Sequence, residues 1–447
     1  MASWQAWLLG SAAVLAAPGA AANPADVFGL GSRSTAMGGA VSADVTDFSA
    51  SYYNPAGLAR ARGTDLSVGY MHAAHRLRMN GEDSRVDPVS GLTGGVVAPG
   101  LVLGMPFAFG LATHLGDNRI SRARTFREDE PRWVLYDNRS QLLYLSTSVA
   151  LRPWKFLALG GGVAFLAATR GSFGITGRAV LPPGSPSDSQ LRHEVDADLS
   201  AVRTPLAAVV VMPSDAVRFA AAYRGQAQID LSIEAQLRGN IDAIGIKIPA
   251  YYALASRTVS QFIPRQLVLG TSVSPNDELK LGVDLTYMQW SAYESPVSSS
   301  ETVLDVRAPK GLPINLPPIP RPSARTPPRF HDTLVPRLGA EWMLRVTPSF
   351  SMPARIGYVY ERSPVPEQTG TTNFVDSDRH VLSVGTGFAW EHPGALISGD
   401  LRFDVHAQWS VLPSRTTLKE SAADFTGDYR ASGSIFNMGM TLSTGFR

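Results

Sequence analysis

The residues of this 447-residue chain that could do chemistry are few, and they do not assemble into a reaction centre. His72 and His75 carry a spacing that suits two metal ligands on one helix face, but they sit where a strand runs into a loop. Asp376, Asp378, Arg379 and His380 have the composition of a catalytic cluster, with Ser383 nearby. They fall at a loop rim and lack a positioned nucleophile. The chain has no G-x-S-x-G elbow, no Walker motif and no dinucleotide fingerprint. It has no cysteine, so thiolate metal sites and disulfides are excluded. The formal net charge of +2 gives no reason to expect nucleic-acid binding. These observations predict a protein that is not an enzyme and holds no metal or cofactor.

The chemistry that does stand out is apolar. Residues 241–254 read IDAIGIKIPAYYAL, and Ile244, Ile246, Ile248, Tyr251, Tyr252 and Leu254 are unusually apolar for a connecting loop. They form a candidate collecting surface for a hydrophobic ligand, or simply pack against the neighbouring loop at 171–197. Residues 29–60 are the second feature. They hold five glycines and six alanines in 32 positions. Few large side chains remain, and the glycines and Pro55 make a long amphipathic helix costly. Tyr52-Tyr53-Asn54-Pro55-Ala56-Gly57-Leu58 has the composition of a turn, with Gly57 permitting a positive φ. Such a segment suits a compact plug that must fit inside something else, with rearrangement made cheap by the lack of large anchors.

The elements around these residues define what the plug would fill. Residues 6–17 form an apolar run too short to span a bilayer, and Ala20-Ala21-Ala22 offers a cleavage pattern. Residues 1–22 therefore read as a signal peptide. Beyond residue 62 the chain alternates with period two. Leu281, Val283, Leu285 and Tyr287 oppose Lys280, Gly282, Asp284 and Thr286, and 337–346, 401–411 and 435–446 behave alike. Residues 88–116 carry no Asp, Glu, Lys or Arg, but Pro99 and Pro106 break any helix there, so two strands describe the stretch better. Fourteen strands are expected, near 63–72, 94–105, 107–116, 138–151, 155–170, 198–212, 215–234, 259–273, 278–293, 331–347, 352–362, 377–391, 398–412 and 432–446. Links after even-numbered strands are short and links after odd-numbered strands are long, the rhythm of an outer-membrane barrel. The chain ends Gly445-Phe446-Arg447, which leaves Arg447 as a one-residue overhang after an outward aromatic.

The small-residue segment with Asn54-Pro55-Ala56, preceded by Ser34-Thr35-Ala36-Met37-Gly38-Gly39-Ala40, resembles the hatch of the FadL/TodX family of outer-membrane transporters. The order Asp332–Glu341, Arg355–Tyr358, Tyr360–Pro366 and Asp376–His380 is similar to the late strands of that family. The resemblance implies an all-β fold: a fourteen-stranded antiparallel transmembrane β-barrel, residues 63–447, plugged by an N-terminal hatch, residues 23–62. It also implies a monomer among outer-membrane lipids and lipopolysaccharide, taking long-chain fatty acids or other hydrocarbons. Hatch movement by Phe28, Asn54, Pro55, Ala56 and Gly57 would then gate uptake, and the third and fourth extracellular loops would form the ligand groove. A PorV-like barrel accompanying secreted proteins shares the NPAGL opening, though not Ser363-Pro364-Val365-Pro366 or the apolar fourth loop. A lipid hydrolase would need an exposed Ser–His pair at one rim, for which only Ser383 and His380 are at hand. The inward charges Lys280, Asp284, Arg337, Glu341, Arg345, Arg355, Glu361, Arg402, Asp404 and His406 read first as mutual bracing of the wall, and second as partners for a ligand carboxylate.

Overall fold

The computed structural model describes residues 24–117, 130–137, 143–178, 190–243, 246–294, 299–307, 327–391 and 399–446. The signal-peptide segment 1–22 and Arg447 lie outside them. The barrel strands are β1 Thr64–Met79, β2 Val89–Val102, β3 Met105–Gly116, β4 Tyr144–Trp154, β5 Leu157–Arg178, β6 Gln190–Val211 and β7 Val217–Arg224. They continue as β8 Arg265–Val273, β9 Leu279–Gln289, β10 Thr333–Thr347, β11 Phe350–Glu361, β12 Arg379–Trp390, β13 Asp400–Thr417 and β14 Tyr429–Phe446. Every strand pairs antiparallel with its chain neighbour, and β14 returns to β1 in the register Thr64↔Phe446. The only other member of this sheet is the two-residue rung Glu82–Asp83. Closure joins the first strand to the last and removes the open sheet edge that a hydrocarbon layer would not tolerate.

The alternation is the inverse of a soluble protein's. On β9 the apolar Leu281, Val283 and Leu285 are exposed, whereas Asp284 and Thr286 are buried in the interior. The same holds for Leu66 and Val68 against Asp65 and Ser67 on β1. An outward apolar band of this extent is stable only in lipid. The fold therefore rests on a lipid-facing skin and a polar lumen.

Two local readings change. The link between β2 and β3 is Leu103-Gly104, with φ of 51° and 77°, rather than Met105-Pro106. A two-residue hairpin whose twist matches its strands needs two positive φ values, and Gly104 supplies one without strain. The seventh and eighth strands also stop short of the expected limits. The β7–β8 ladder stops at Arg224 and Gln266, beside Pro264, which has no N–H to donate, while the Gly225 amide still bonds the Pro205 carbonyl of β6 at 2.9 Å. Between them Ala227–Ala243 and Ile246–Ile263 form a separate hairpin, joined by Ser299–Val306 into a three-stranded sheet. The expected apolar loop is thus a strand hairpin.

Candidate functional site

Residues 24–60 pack inside the ring as three short helices, α1 Pro24–Phe28, α2 Ser32–Ala36 and α3 Ala50–Tyr53, followed by a 3₁₀ turn Pro55–Arg60. Asn54 links two parts of this plug. Its Oδ1 accepts from the Ala56 amide at 3.0 Å and its Nδ2 donates to the Ser42 carbonyl at 2.8 Å. Pro55 stands at the first turn position, where its missing N–H leaves nothing unpaired. Gly57 is not at positive φ, contrary to the turn reading. It is required because a Cβ there would lie 2.0 Å from the Val45 carbonyl oxygen.

The wall is thinned to receive the plug. A Cβ at Gly160 on β5 would lie 2.3 Å from the Ala56 amide, and one at Gly282 on β9 would lie 2.1 Å from the Ala40 carbonyl. Gly357 on β11 stands against the Gly38 amide at 2.1 Å, and Gly385 on β12 against Ala36. These glycines let main chain approach main chain around most of the lumen, which side chains would prevent.

Charges then fix the plug body. Arg33 donates to Glu341 of β10 and to Asp44, each at 2.9 Å. Glu341 also binds Arg355 at 2.6 Å, which reaches Asp404 at 2.5 Å. Asp44 gathers Arg218 at 3.0 Å, Arg60 at 3.4 Å and Lys280 at 3.5 Å. Burial pushes the Asp44 carboxyl up, but Arg33, Lys280, Arg60 and Arg218 outweigh it and hold it down at about 2. Burial likewise disfavours the Arg33 cation, yet Glu341 and Asp44 raise its pKa well above the ordinary value. Asp284 of β9 accepts from both the amide and the hydroxyl of Ser42, at 3.1 and 2.8 Å. Several inward charges read as wall bracing therefore clamp the plug. Leu30, Met37, Val41, Val45, Phe48 and Leu58 are also buried against the wall, so residues 29–60 carry more anchors than their small-residue composition implies.

The N-terminal stretch is held differently. Arg379 Nη1 donates to the Val27 carbonyl at 3.2 Å, and Asn437 Nδ2 donates to the Phe28 carbonyl at 2.9 Å. Gln266 Nε2 donates to Asp26 at 2.9 Å, and Tyr52 donates its hydroxyl to the same oxygen. No ion pair ties α1 to the wall among the described residues. The cavity between α1, Tyr52, Arg224 and Arg337 measures about 20 Å³, space for about one water.

Next to α1 an aromatic cluster forms from β1, the separate hairpin and the described parts of the loops. Phe28 is 2% exposed and meets His75 edge-on at 5.9 Å, and His75 approaches Tyr136 at 6.5 Å. Trp133 stands 6.1 Å from Tyr136, and Phe262, Trp290, Tyr293, Phe330 and Phe374 extend the same buried cluster. Sequence reasoning missed this cap. Its signal was Trp133-Val134-Leu135-Tyr136 and Trp290, Tyr293 and Phe330 in or beside stretches otherwise read as links. Of the expected collecting residues, Ile244 lies outside the described residues. Ile246 is placed only by its backbone, on the protruding hairpin. Ile248 is buried and Tyr251, Tyr252 and Leu254 half-buried on that hairpin, and none joins the cluster next to α1.

The reactive clusters do not assemble. His72 is exposed and bonds Ser90 at 2.8 Å, while His75 turns to the interior. His380 Nδ1 pairs with the Tyr358 hydroxyl at 2.8 Å, whereas Ser383 is buried and accepts from Gln408 at 3.1 Å. Asp376 and Asp378 are bound by Ser363 and Tyr360. Among the described residues no three metal-ligating side chains converge.

A closed fourteen-stranded wall, a lipid-facing skin and a bonded internal plug define an outer-membrane β-barrel with an obstructed lumen. Residues 138–444 match the family described as outer membrane protein transport protein (OMPP1/FadL/TodX), and the chain belongs to that family. Its members are transporters and channels rather than enzymes. Among solved structures, a Pseudomonas aeruginosa FadL homologue superposes with a TM-score of 0.58 at 16% identity, covering 97% of this chain and 100% of that one. The P. putida toluene transporter TodX superposes at 0.56 and 15% identity, over 94% of this chain and 100% of its own. These two likenesses concern the fold. The alkane uptake protein A of Marinobacter nauticus is 26% identical over 177 residues, 39% of this chain. That match spans 34%, about a third, of the relative's length.

Proposed function

We propose that this protein carries long-chain fatty acids or similar hydrophobic molecules passively across the bacterial outer membrane, with α1 as the gate. The observation that supports it most is the position of Phe28: an apolar side chain at the tip of a lightly held segment, plugged into the floor of an aromatic cap. Hydrophobic solute collects on that cap, with the half-buried Tyr251, Tyr252 and Leu254 of the Ala227–Ile263 hairpin as an outer landing surface. It then competes with Phe28 for the same apolar site. A ligand at free concentration L that binds only the undocked state shifts the equilibrium by RT ln(1 + L/Kd). Docking of α1 gains about 1 kcal/mol from each of a few hydrogen bonds and roughly 2 from burying Phe28. Ordering the segment offsets part of this. A ligand of micromolar affinity at millimolar local concentration supplies about 4 kcal/mol, enough to displace a segment held by a few kcal/mol net. The hatch body, with Asn54, Pro55, Ala56 and Gly57 at its base, stays clamped and gives α1 a fixed seat. The barrel acts as a monomer, with membrane lipid and lipopolysaccharide as the solvent of its outer skin.

Mass spectrometry of small molecules extracted from barrel purified in a short-chain detergent tests the substrate class. Fatty acids, alkanes or aromatic hydrocarbons at near-stoichiometric occupancy are expected, and their loss from Phe28→Trp, which overfills the site, is expected with it. Barrel that carries only sugars or peptides would sink the proposal.

A further inference from the structure

The outer rim of the barrel is not uniform in charge. Near the extracellular ends of β9 and β11 the outward side chains are tyrosines whose hydroxyls meet loop carboxylates, Tyr287 with Asp332 at 2.5 Å and Tyr360 with Asp378 at 2.7 Å. Where β14 meets β1, the outward positions are arginines instead. Arg76 and Arg78 follow each other on the outward face of β1, and Arg430 stands on the outward face of β14. Arg78 faces Ser432 in the register, and the Asn80 amide bonds the Arg430 carbonyl at 2.8 Å, so Arg430 is the diagonal neighbour of Arg78. Residues two apart on a strand, and diagonal neighbours across strands, are about 7 Å apart. Three guanidinium-bearing side chains thus share one exposed patch. Among the described residues none of them makes an ion pair. Arg430 Nε donates only to the Ser414 hydroxyl. Asp83 stands across from Arg78 without an ion pair and accepts from the Arg85 amide at 2.8 Å, so it offsets part of the charge of Arg78 but not that of Arg76 and Arg430.

The height of the patch identifies what would neutralise it. On β1 the exposed Leu66 and Val68 mark the apolar band near the short-turn end. Arg76 is ten residues beyond Leu66. At about 3.3 Å per residue and a strand tilt near 40°, ten residues climb roughly 25 Å, the height of an outer-membrane apolar band. On β14, below Arg430, Ser432 and Ser434 come first and then the exposed Phe436, Met438, Met440 and Leu442. The arginines therefore stand at the level of the outer-leaflet headgroups, directly above acyl-chain contacts. Like charges this close destabilise one another unless an anion lies between them, and a guanidinium fork matches a phosphate.

We propose that Arg76, Arg78 and Arg430 form a binding site for the phosphorylated headgroup of an outer-leaflet glycolipid, with the acyl chains lying on Phe436 and Met438. This rests on the outer-membrane setting and on the long-loop end facing outward, but not on what passes through the lumen. The site tethers the barrel to one lipid molecule at the β14–β1 seam, where the first and last strands close.

The test uses full-length barrel in nanodiscs and native mass spectrometry, titrating bis-phosphorylated lipid A against lipid A stripped of phosphate. The wild type is expected to retain the phosphorylated lipid preferentially. The triple variant Arg76→Gln/Arg78→Gln/Arg430→Gln is expected to lose affinity on the order of a hundredfold, about fivefold per charge removed. Heat-modifiable migration on gels and uptake of hydrophobic solute by the variant should both be unchanged, since these side chains face outward. Equal binding of the two lipids by the wild type, or equal affinity in the variant, would overturn the site. Displacement of lipid A by millimolar inorganic phosphate alone would also overturn it, in favour of a free-anion site. Absent uptake together with intact lipid A selectivity would count against the transport reading and leave this site standing.

Discussion

Phe28→Ala isolates the gate from the wall. The side chain is 2% exposed and is the only large ring that α1 inserts beneath the aromatic cap. Truncating a phenylalanine so buried costs about 3–5 kcal/mol. At Phe28 the cost falls on docking of α1, because the β14–β1 ladder and every other wall pairing are untouched. At about 1.4 kcal/mol per decade, the docked-to-undocked ratio drops by roughly a hundredfold to a few thousandfold. The measurement is the initial rate at which cells, or liposomes holding the pure barrel, admit a small apolar fluorescent probe, with and without saturating fatty acid. The variant should admit the probe at least tenfold faster than wild type without fatty acid, and added fatty acid should change the rate little. The thermal midpoint of the barrel should stay within a few degrees. A variant that folds normally and admits the probe at the wild-type rate would refute the idea that α1 closes the path.

Milder and complementary perturbations follow the same logic. Asn437→Ala removes the 2.9 Å bond to the Phe28 carbonyl, worth about 1 kcal/mol, and should raise probe leak roughly fivefold in the same assay. Gly282→Ala places a methyl 2.1 Å from the Ala40 carbonyl and should cost about 1–3 kcal/mol in thermal unfolding, whereas Gly100→Ala meets nothing within 4 Å and should be silent. The Asp44 carboxyl is held at about 2 in the folded state, below an unfolded value near 3.9. Its stabilisation is present above pH 4 and is lost as pH falls towards 2, so hydrogen exchange of residues 31–60 should accelerate over that window and Asp44→Asn should flatten the response.

Much of the architecture was legible because a barrel wall writes a strong pattern. One face meets lipid and the other a polar lumen, so Leu281, Val283 and Leu285 against Lys280 and Asp284 could be assigned without a partner. The alternation of short and long links fixed the direction of the chain. Misplaced boundaries had local causes: Gly104 was overlooked as the turn glycine, and Pro264 as a ladder break. The plug was legible in its small residues, but the number of its anchors was not. Arg33 and Asp44 are unremarkable in sequence and become clamps only when Glu341 and Arg218 arrive across the lumen. The wall glycines were equally silent, since Gly160 and Gly282 look like ordinary inward small residues until Ala56 and Ala40 press against them. The aromatic cap was missed because Trp133 comes from one loop and Trp290 and Phe330 from opposite ends of another, and no local period connects them.

Hydrogen exchange along the hatch, with and without saturating long-chain fatty acid, tests the central claim most directly. Ligand should strip protection from the backbone around α1, residues 24–30, while residues 31–60 stay as protected as before. Ligand that leaves 24–30 protected while it binds, or that releases 31–60 together with 24–30, would contradict a gate at α1 seated on a fixed plug.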